Sequence, residues 1–347
     1  IVDFSYTLDE RDTKLMKDTY EELKKAVFNK LKNSGIDEKQ ANIITEVLLY
    51  SDIRGIHSHG VLRVEHYINR MKNGGINLNS DFKINVLKPS FASMDADGGF
   101  GHVATKYAME WAIKTANEQG IALIGIKNNS HCGALGYYNK MAIDDKKVSL
   151  IMVNTDPCVI PFGGKKSFFG TNPISYGFPA KKDFILGDMA TSKVSLGRIF
   201  TARDNNETVP LDWGVDEDGN PSSNPNKIKY VVPFGGVKGY LIMTMVEAFT
   251  GLLIGNVYCN NLVKMYGDME KKRNLSTFIL VIEPSLFNDM ETFLNTVQSF
   301  IDDIKKEPAM NKNETISIPG ERKEACAENY IKNGIPLSEN VYKYIFE

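Results

Sequence analysis

The chain is poor in several features that mark other protein classes. It has four cysteines in 347 residues, none in a Cys-x-x-Cys pair, which disfavours a disulfide scaffold and a cysteine-based zinc site. Its 41 Lys and Arg residues are balanced by 43 Asp and Glu residues, whereas a nucleic-acid binder needs a cationic surplus. No apolar run reaches about 18 residues, and the most apolar stretch, 240–255, contains Glu247, so it predicts a buried helix and not a membrane span.

Signal and nucleotide-binding motifs are also missing. The first residues show no signal-peptide pattern, so we expect a cytoplasmic protein with reduced thiols, and neither a nucleic acid nor a membrane as partner. No G-x-G-x-x-G follows a predicted strand, and no P-loop motif is present. A bound nucleotide would therefore need another architecture. The composition is that of a globular protein, and the length predicts two or three domains.

Both ends of the chain are predicted to be helical and the middle to be rich in strands. Apolar residues from Leu15 to Leu31 recur at helical spacing, a second helix follows Asp37, and a third covers about 62–71. Further helices are predicted at about 103–118, at 240–253 and from Leu286 onwards. The predicted strands are 91–94, 121–126, 148–153, 174–178, 184–186, 278–282 and 315–318. The order predicts an α/β fold.

Three of the five histidines lie between residues 52 and 67. His57 and His59 are two apart, so in an extended loop they face opposite sides and do not share a ligand, which disfavours a metal site. If the chain is helical from residue 62, Arg63 and Tyr67 share one face, with His59 just before it. A histidine can transfer a proton and an arginine can pair with a carboxylate. The alternative is a solvated surface loop.

Two more candidates follow predicted strands, where α/β proteins often place their sites. His131 comes after 121–126 and is a possible acid or base, or else a packed core histidine. Cys132 beside it lacks an evident base, which disfavours a thiol nucleophile. Asp156 comes after 148–153 and is either a carboxylate that orients His131 or a substrate group, or a turn residue before Pro157.

Five motifs, taken together and in order, resemble the malate/L-lactate dehydrogenase family that lacks the Rossmann fold. They are 54–60 (RGIHSHG), 170–173 (GTNP), 188–192 (DMATS), 233–240 (PFGGVKGY) and 319–322 (PGER). The resemblance implies a non-Rossmann mixed β-sheet domain, 77–283, that binds NAD or NADP and the substrate. It implies a helical domain, 1–76, completed by about 284–347. It also implies a homodimer with the active site at the interface. We expect no metal, because no third ligand is arranged around the two neighbouring histidines.

The resemblance further implies roles for single residues. His131 matches the catalytic acid/base, with His59 close to the substrate and Asp156 as an orienting carboxylate. The positions that match substrate contacts are Ser58, Arg63 and Tyr67. The positions that match cofactor contacts are Thr155, Asp188, Met189, Ala190, Lys238, Gly320, Glu321 and Arg322.

Within the family, 130–134, 155–157 and 265–268 are most similar to the members that act on ureidoglycolate. The expected reaction is the NAD(P)-dependent oxidation of a 2-hydroxy acid, first of all (S)-ureidoglycolate to oxalurate in purine degradation. Malate, L-lactate, sulfolactate and diketogulonate remain alternatives, as do a non-catalytic ligand-binding homologue and a zinc hydrolase built on the two neighbouring histidines. The segment 1–13 is longer than the usual start of the family, and we assign it no role.

Overall fold

The elements of the chain alternate between helices and strands after a helical start. The computed structural model describes residues 15–311 and 314–347, so the segment 1–13 lies outside the described residues. In chain order the elements are β1 (Met16–Asp18), α1 (Tyr20–Asn33), α2 (Glu38–Ile53), α3 (Val64–Lys72), β2 (Ile84–Lys88), β3 (Phe91–Asp95), α4 (Gly101–Gln119), β4 (Ile121–Asn129), α5 (Gly136–Asp144), β5 (Val148–Val153), β6 (Ile174–Pro179), β7 (Phe184–Met189), α6 (Leu196–Asp204), β8 (Gly214–Val215), β9 (Tyr230–Val231), α7 (Val237–Glu247), β10 (Leu275–Ile282), α8 (Met290–Lys306), α9 (Glu321–Asn333), β11 (Ile335–Leu337) and α10 (Glu339–Phe346).

The main sheet carries the middle of the chain. Within the described residues it has seven strands in the order β2-β3-β4-β10-β5-β6-β7, and β3–β4 is its one parallel pair. The central strand, β10, lies antiparallel to both β4 and β5, so that Thr277 pairs with Ile126 on one side and Val153 on the other. The prediction of an α/β fold is confirmed, with a mixed sheet.

Both faces of this sheet are covered by other elements. Successive side chains of a strand point to opposite faces, and here apolar side chains point to both. Ile151 and Ile279 point into the large core that the sheet shares with α1, α2 and α4. Met152 and Phe278 point to the other face and pack against Val246 of α7. A site at the ends of the central strands is therefore built on a rigid support.

The two ends of the chain meet in a small second sheet. Lys17 of β1 pairs with Pro336 of β11, and α9, β11 and α10 pack against α1 and α2. The helix predicted from Leu15 therefore begins only at Tyr20, after a capping box formed by Thr19 and Glu22. The prediction was wrong there because β1 is fixed by a partner more than 300 residues away, which local periodicity does not reveal.

The C-terminal third shows two further differences from the sequence-based prediction. The predicted strand 315–318 is wrong: the segment pairs with no strand of the described chain, and the backbone N–H of Ile318 donates to the Glu321 side chain at 2.9 Å. Helix α8 packs on β6 and β7 rather than on the N-terminal helices. Phe287, expected on its apolar face, precedes the helix and is 84% exposed. The domain boundaries at 76 and 284 remain predictions.

The apolar stretch 240–255 is only partly buried. Helix α7 ends at Glu247 and continues as a π-helical turn, Ala248–Leu252. One side buries Met243 and Val246, whereas the other leaves Leu241 62% exposed. In the part of the chain that the structure describes, no helix is long and apolar enough to cross a membrane.

Candidate active site

A buried carboxylate shapes the turn that carries the first two candidate side chains. After α2 the chain makes two 3-10 turns, His57–His59 and Val61–Arg63. Asp52 accepts a hydrogen bond from the Val61 N–H at 2.6 Å and pairs with His57 Nδ1 at 2.9 Å. Gly60 is required, because a Cβ there would lie 2.1 Å from the Asp52 carboxylate. Burial raises the pKa of Asp52, while His57 and the Val61 N–H oppose that shift.

The two neighbouring histidines serve different parts of the molecule. His57 faces Asp52 and the Tyr330 ring, whereas His59 stacks on His131, with ring centroids 5.4 Å apart. His59 Nδ1 lies 2.9 Å from Ser58 Oγ. The backbone here is a 3-10 turn and not the extended loop we predicted, but the side chains still diverge. Among the described residues, no group of three or more His, Cys, Asp or Glu side chains is arranged to hold a metal ion.

His131 lies just beyond β4 and is held through its Nδ1 atom. Tyr67 Oη is 2.7 Å from Nδ1, and the Gly133 N–H donates to the same atom at 3.3 Å. The positive φ of Gly133, +77°, brings its N–H back toward the ring. Burial holds the pKa of His131 well below its usual value, and His59 and Arg63 lower it further. The lowered pKa favours the neutral imidazole at pH 7.

The arrangement determines which nitrogen of His131 can react. Because Nδ1 is occupied, Nε2 is the atom left for a substrate. As a base, Nε2 must carry the lone pair and Nδ1 the proton. The Tyr67 hydroxyl oxygen can accept a hydrogen bond from that Nδ1–H, whereas the Gly133 N–H can only donate and bonds to Nδ1 only in the other tautomer. Tyr67 thus permits the tautomer in which His131 accepts a proton from an alcohol.

A third histidine, which the sequence did not single out, completes this aromatic cluster. His102 lies in the first turn of α4 and is fully buried, with its ring 4.9 Å from that of Tyr67 and 6.3 Å from that of His131. Within the described chain, neither of its ring nitrogens has a hydrogen-bond partner. Burial lowers its pKa to about 3. The only sequence signal was its place after the glycine-rich 98–101.

Arg63 lies in the 3-10 turn before α3, whereas we predicted a helix from about residue 62, but its charge is still close enough to Tyr67 to oppose the rise in the pKa of that side chain. Its Nε donates to the Ser58 carbonyl at 2.7 Å, and its Nη1 donates to Tyr266 Oη. Nη2 has no hydrogen-bond partner among the described residues. The half-buried guanidinium is close enough to lower the pKa of both His59 and His131. A cation therefore stands beside the pair of stacked imidazoles, where it can bind an anionic substrate.

Asp156 does not hold His131, which corrects one of our two expectations for it. Its carboxylate forms an ion pair with buried Arg273 and accepts the Met265 N–H at 3.0 Å. The reason is topological: β10 lies between β4 and β5, so the residue after β5 meets the residues that precede β10. Tyr67 takes the place at His131 that we expected Asp156 to fill. Sequence reasoning missed Arg273, because nothing local marks it.

The GTNP segment packs directly against Thr155, one of the candidate cofactor residues. Thr155 N–H donates to Asn172 Oδ1 at 3.1 Å, and the hydroxyls of Thr155 and Thr171 are 3.3 Å apart. A Cβ on Gly170 would lie 2.1 Å from Thr155 Oγ1, so only glycine fits. Asn172 Nδ2 in turn donates to the buried Glu247 at 2.7 Å. A buried polar network thus fixes the backbone around Thr155.

The structure brings a second set of candidate cofactor residues together at the end of β7. Asp188 Oδ2 accepts the Gly136 N–H at the start of α5 at 2.9 Å. Gly320 lies against the backbone of Leu186, where a Cβ would approach to 3.3 Å. Lys323, which we did not predict, donates to the Asp188 carbonyl at 3.4 Å and helps to lower the pKa of His59. This lysine therefore links the cofactor candidates at the end of β7 to the histidine cluster around His131.

The remaining candidates are less closely joined. Met189 is exposed, Ala190 is half-buried, and Arg322 is exposed in the first turn of α9. The Glu321 carboxylate is engaged elsewhere, since it pairs with Lys305 at 2.6 Å and accepts a hydrogen bond from the Ile318 N–H. Lys238 lies exposed in the first turn of α7.

A cavity of about 350 Å³ lies close to Lys238, at the start of α7. Gly235 and Gly236 contribute to its wall, both with positive φ, and no side chain caps the first N–H groups of the helix. Phe162 and Lys193 lie on the same cavity. Uncapped N–H groups at a helix start are suited to a phosphate.

Comparisons with known proteins point to one family. The sequence profile of the family described as malate/L-lactate dehydrogenase matches residues 19–345. Ureidoglycolate dehydrogenase (NAD(+)) of Escherichia coli O157:H7 is 35% identical over 95% of both chains. L-sulfolactate dehydrogenase of Methanocaldococcus jannaschii is 35% identical over 93% of this chain and 94% of its own. The solved structure of sulfolactate dehydrogenase from M. jannaschii superposes with a TM-score of 0.89, at 32% identity and over 95% of both chains.

These relatives are dehydrogenases by name, and the match extends over nearly the whole chain. The sequence motifs, the profile and the superposition therefore lead to one conclusion: the chain belongs to the malate/L-lactate dehydrogenase family.

Proposed function

We propose that the chain is an NAD(P)-dependent dehydrogenase that oxidises a 2-hydroxy acid, with His131 as acid/base. One observation carries the proposal: Tyr67 holds His131 at Nδ1, and the His131 ring stacks on His59 beside the cation Arg63, which together with burial lowers the pKa of His131. An alcohol oxidation needs a base at the hydroxyl. A carboxylic acid substrate needs a cation to orient it.

The residues present fit a dinucleotide. The uncapped start of α7 and the exposed Lys238 suit a pyrophosphate, and the positive-φ glycines before the helix let the backbone approach closely. The candidates to hold the cofactor are Thr155, Asp188, Met189, Ala190, Lys238, Gly320, Glu321 and Arg322. A nicotinamide bound there supplies the hydride acceptor. The sheet that would hold it has a single parallel pair within the described residues, so we propose a non-Rossmann binding mode.

The protein residues then divide the remaining work. Arg63 binds the substrate carboxylate and thereby fixes the carbinol carbon next to His131. His131 Nε2 takes the hydroxyl proton as the carbon–oxygen double bond forms, and the Nδ1–H of the resulting imidazolium donates a hydrogen bond to the Tyr67 oxygen. His59, stacked on His131 and neutral because burial lowers its pKa to about 4, covers one face of that ring and excludes water. In the reverse direction His131 returns the proton.

For the substrate we propose (S)-ureidoglycolate, which would be oxidised to oxalurate in purine degradation. The support is the 35% identity to ureidoglycolate dehydrogenase (NAD(+)) over nearly the full length, a name that also favours NAD over NADP. The L-sulfolactate dehydrogenase of M. jannaschii has the same identity and a closely superposing structure, so sulfolactate is the second candidate. Malate follows through a malate dehydrogenase of Pyrococcus abyssi that is 33% identical.

We also propose a homodimer with the active site at the interface. An apolar stripe on α7 and the turn after it supports this, since its members recur about every four residues and stay exposed in the single chain. They are Val237, Leu241, Met245, Phe249 and Leu252. Such a continuous stripe is more than a monomer ordinarily exposes. The same proposal places the enzyme in the cytoplasm, consistent with four free cysteines.

A fluorescence screen for NADH or NADPH formation tests the function. Ureidoglycolate, malate, lactate and sulfolactate are each offered with NAD and with NADP, and we expect ureidoglycolate with NAD to give the highest kcat/KM. His131→Ala should lower kcat about a hundredfold or more, while NADH affinity, measured by direct titration, changes little. No turnover of any acid, together with no cofactor binding, would identify a non-catalytic homologue.

A further inference from the structure

The loop 263–268 carries Tyr266 beside the proposed substrate cation, and Tyr266 Oη accepts a hydrogen bond from Arg63 Nη1. We propose that Tyr266 is a positioning and specificity residue for the substrate carboxylate: it orients the Arg63 guanidinium, and a buried ion pair, Asp156–Arg273, holds the loop that presents it. This inference rests on the proposed function and defines the substrate class further, as acids whose carboxylate reaches both side chains.

The hydrogen bonds of Arg63 decide where a carboxylate can bind. A guanidinium offers two edges with paired N–H groups, Nε with Nη2 and Nη1 with Nη2. The Ser58 carbonyl already takes Nε, which leaves the Nη1–Nη2 edge for a carboxylate. The Tyr266 oxygen accepts from Nη1, so its own O–H remains to donate to an oxygen on that edge. Arg63 and Tyr266 thus form one binding surface for a carboxylate.

Arg70 anchors the backbone of the loop on one side. Its Nη2 donates to the carbonyls of Lys264 and Asp268, at 3.2 and 3.3 Å. Arg70 is almost fully buried, and burial and the nearby Arg273 lower its pKa to about 10. A buried cation is stable only while it is hydrogen-bonded or paired. The loop therefore cannot move away without leaving Arg70 without acceptors.

Asp156 and Arg273 anchor the other side of the loop. Arg273 Nε donates to the Val263 carbonyl at 3.3 Å, and Asp156 accepts the Met265 N–H at 3.0 Å while it pairs with Arg273. The negative charge of Asp156 also offsets part of the positive charge of the two buried arginines, Arg70 and Arg273. The residues on either side of Tyr266 are thus fixed, while the Tyr266 side chain itself is 56% exposed and accessible to a ligand.

Tyr266→Phe tests the proposal, because it removes the hydroxyl and keeps the ring. Loss of a partly exposed hydrogen bond to a charged group should raise KM for the acid substrate about tenfold, with kcat nearly unchanged. In an Arg63→Met background the same change should alter kcat/KM by less than about twofold, because the shared partner is gone. Tyr258→Phe, at another exposed tyrosine, is the control and should leave both constants unchanged.

Calorimetric titration of oxamate, a small carboxylate that cannot be oxidised at a carbinol, gives a second readout. We expect the same coupling between Arg63 and Tyr266 in oxamate affinity. The coupling is obtained from the oxamate affinities of the wild type, the two single variants and the double variant. If these affinities show the coupling but no 2-hydroxy acid is turned over, the proposed function fails and this inference stands. If turnover is found and the losses are additive in both assays, or oxamate does not bind the wild type, the role of Tyr266 is overturned.

Discussion

Tyr67→Phe should disable His131 without disturbing the fold. The Tyr67 ring is buried against His102, and phenylalanine preserves that packing. What disappears is the oxygen 2.7 Å from His131 Nδ1. The remaining neighbour of Nδ1, the Gly133 N–H at 3.3 Å, can only donate. In the variant the neutral imidazole therefore settles with its proton on Nε2, where it cannot accept the proton of a substrate hydroxyl.

The size of the effect follows from the hydrogen bond that is lost. Forcing the reactive tautomer would leave a buried N–H without an acceptor, which costs about 1–3 kcal/mol. Because about 1.4 kcal/mol corresponds to a tenfold change in rate, kcat for oxidation should fall about 5- to 150-fold. Cofactor affinity should be unchanged, because Tyr67 is not among the proposed cofactor contacts.

Steady-state NADH formation with the best substrate of the screen measures this loss, and NADH titration checks that the cofactor still binds. Tyr138→Phe is a matched control, since Tyr138 is also fully buried and its hydroxyl donates to the Cys132 carbonyl at 2.6 Å and not to His131. It should lower stability but leave kcat close to wild type. A Tyr67→Phe enzyme with kcat within twofold of wild type, or an equal loss in Tyr138→Phe, would refute the reasoning.

Three further predictions concern stability, substrate charge and assembly. Burial lowers the pKa of His59 to about 4 and of His102 to about 3. Below about pH 6.5 the unfolded chain therefore binds protons that the folded chain does not, and the free energy of unfolding should drop by up to about 1.4 kcal/mol per pH unit for each histidine. His102→Gln should flatten the curve of Tm against pH between 6.5 and 4, and an unchanged slope would contradict this. Arg63→Lys should lose nearly as much kcat/KM as Arg63→Met, about 2–4 kcal/mol, because an ammonium cannot form two parallel hydrogen bonds; an uncharged amide analogue should be a poor substrate that the mutation penalises little further. Leu241→Glu should convert a dimer into monomers in sedimentation experiments, and a wild type that is already monomeric with full turnover would exclude the dimer.

The sequence predicted the central strands well because burial on both faces makes them apolar and β-branched. Ile121–Ile126 and Val148–Val153 became β4 and β5, the first extended to Asn129. The predicted helix 103–118 became α4, with Gly120 in the left-handed conformation at its end. Short strands such as β8 and β11 were missed, since two or three residues carry no periodicity.

The sequence indicated some of the candidate side chains that the structure brings together, but it missed His102, Lys323 and Arg273 and revealed few of the contacts. The spacing placed Arg63 and Tyr67 on one face, and the structure puts both beside His59 and His131. The partner of His131 was misassigned because the strand order was unknown. The position of β10 in the sheet decides which side chain meets Asp156. No local sequence pattern reveals that a strand about 120 residues downstream is inserted between β4 and β5.

That insertion also has a consequence for how the enzyme is made. As the chain is synthesised, β4 and β5 appear early, yet each has an open edge until β10 pairs with both. Open edges invite pairing with other chains, and closing such long loops is slow. His131 follows β4 and Thr155 follows β5, so these two candidate residues are not held in one sheet through β10 until residue 282 has emerged. A nascent chain stalled before β10 should therefore be prone to aggregate, whereas synthesis beyond β10 adds α8, α9, β11 and α10 around a main sheet whose seven strands are already present.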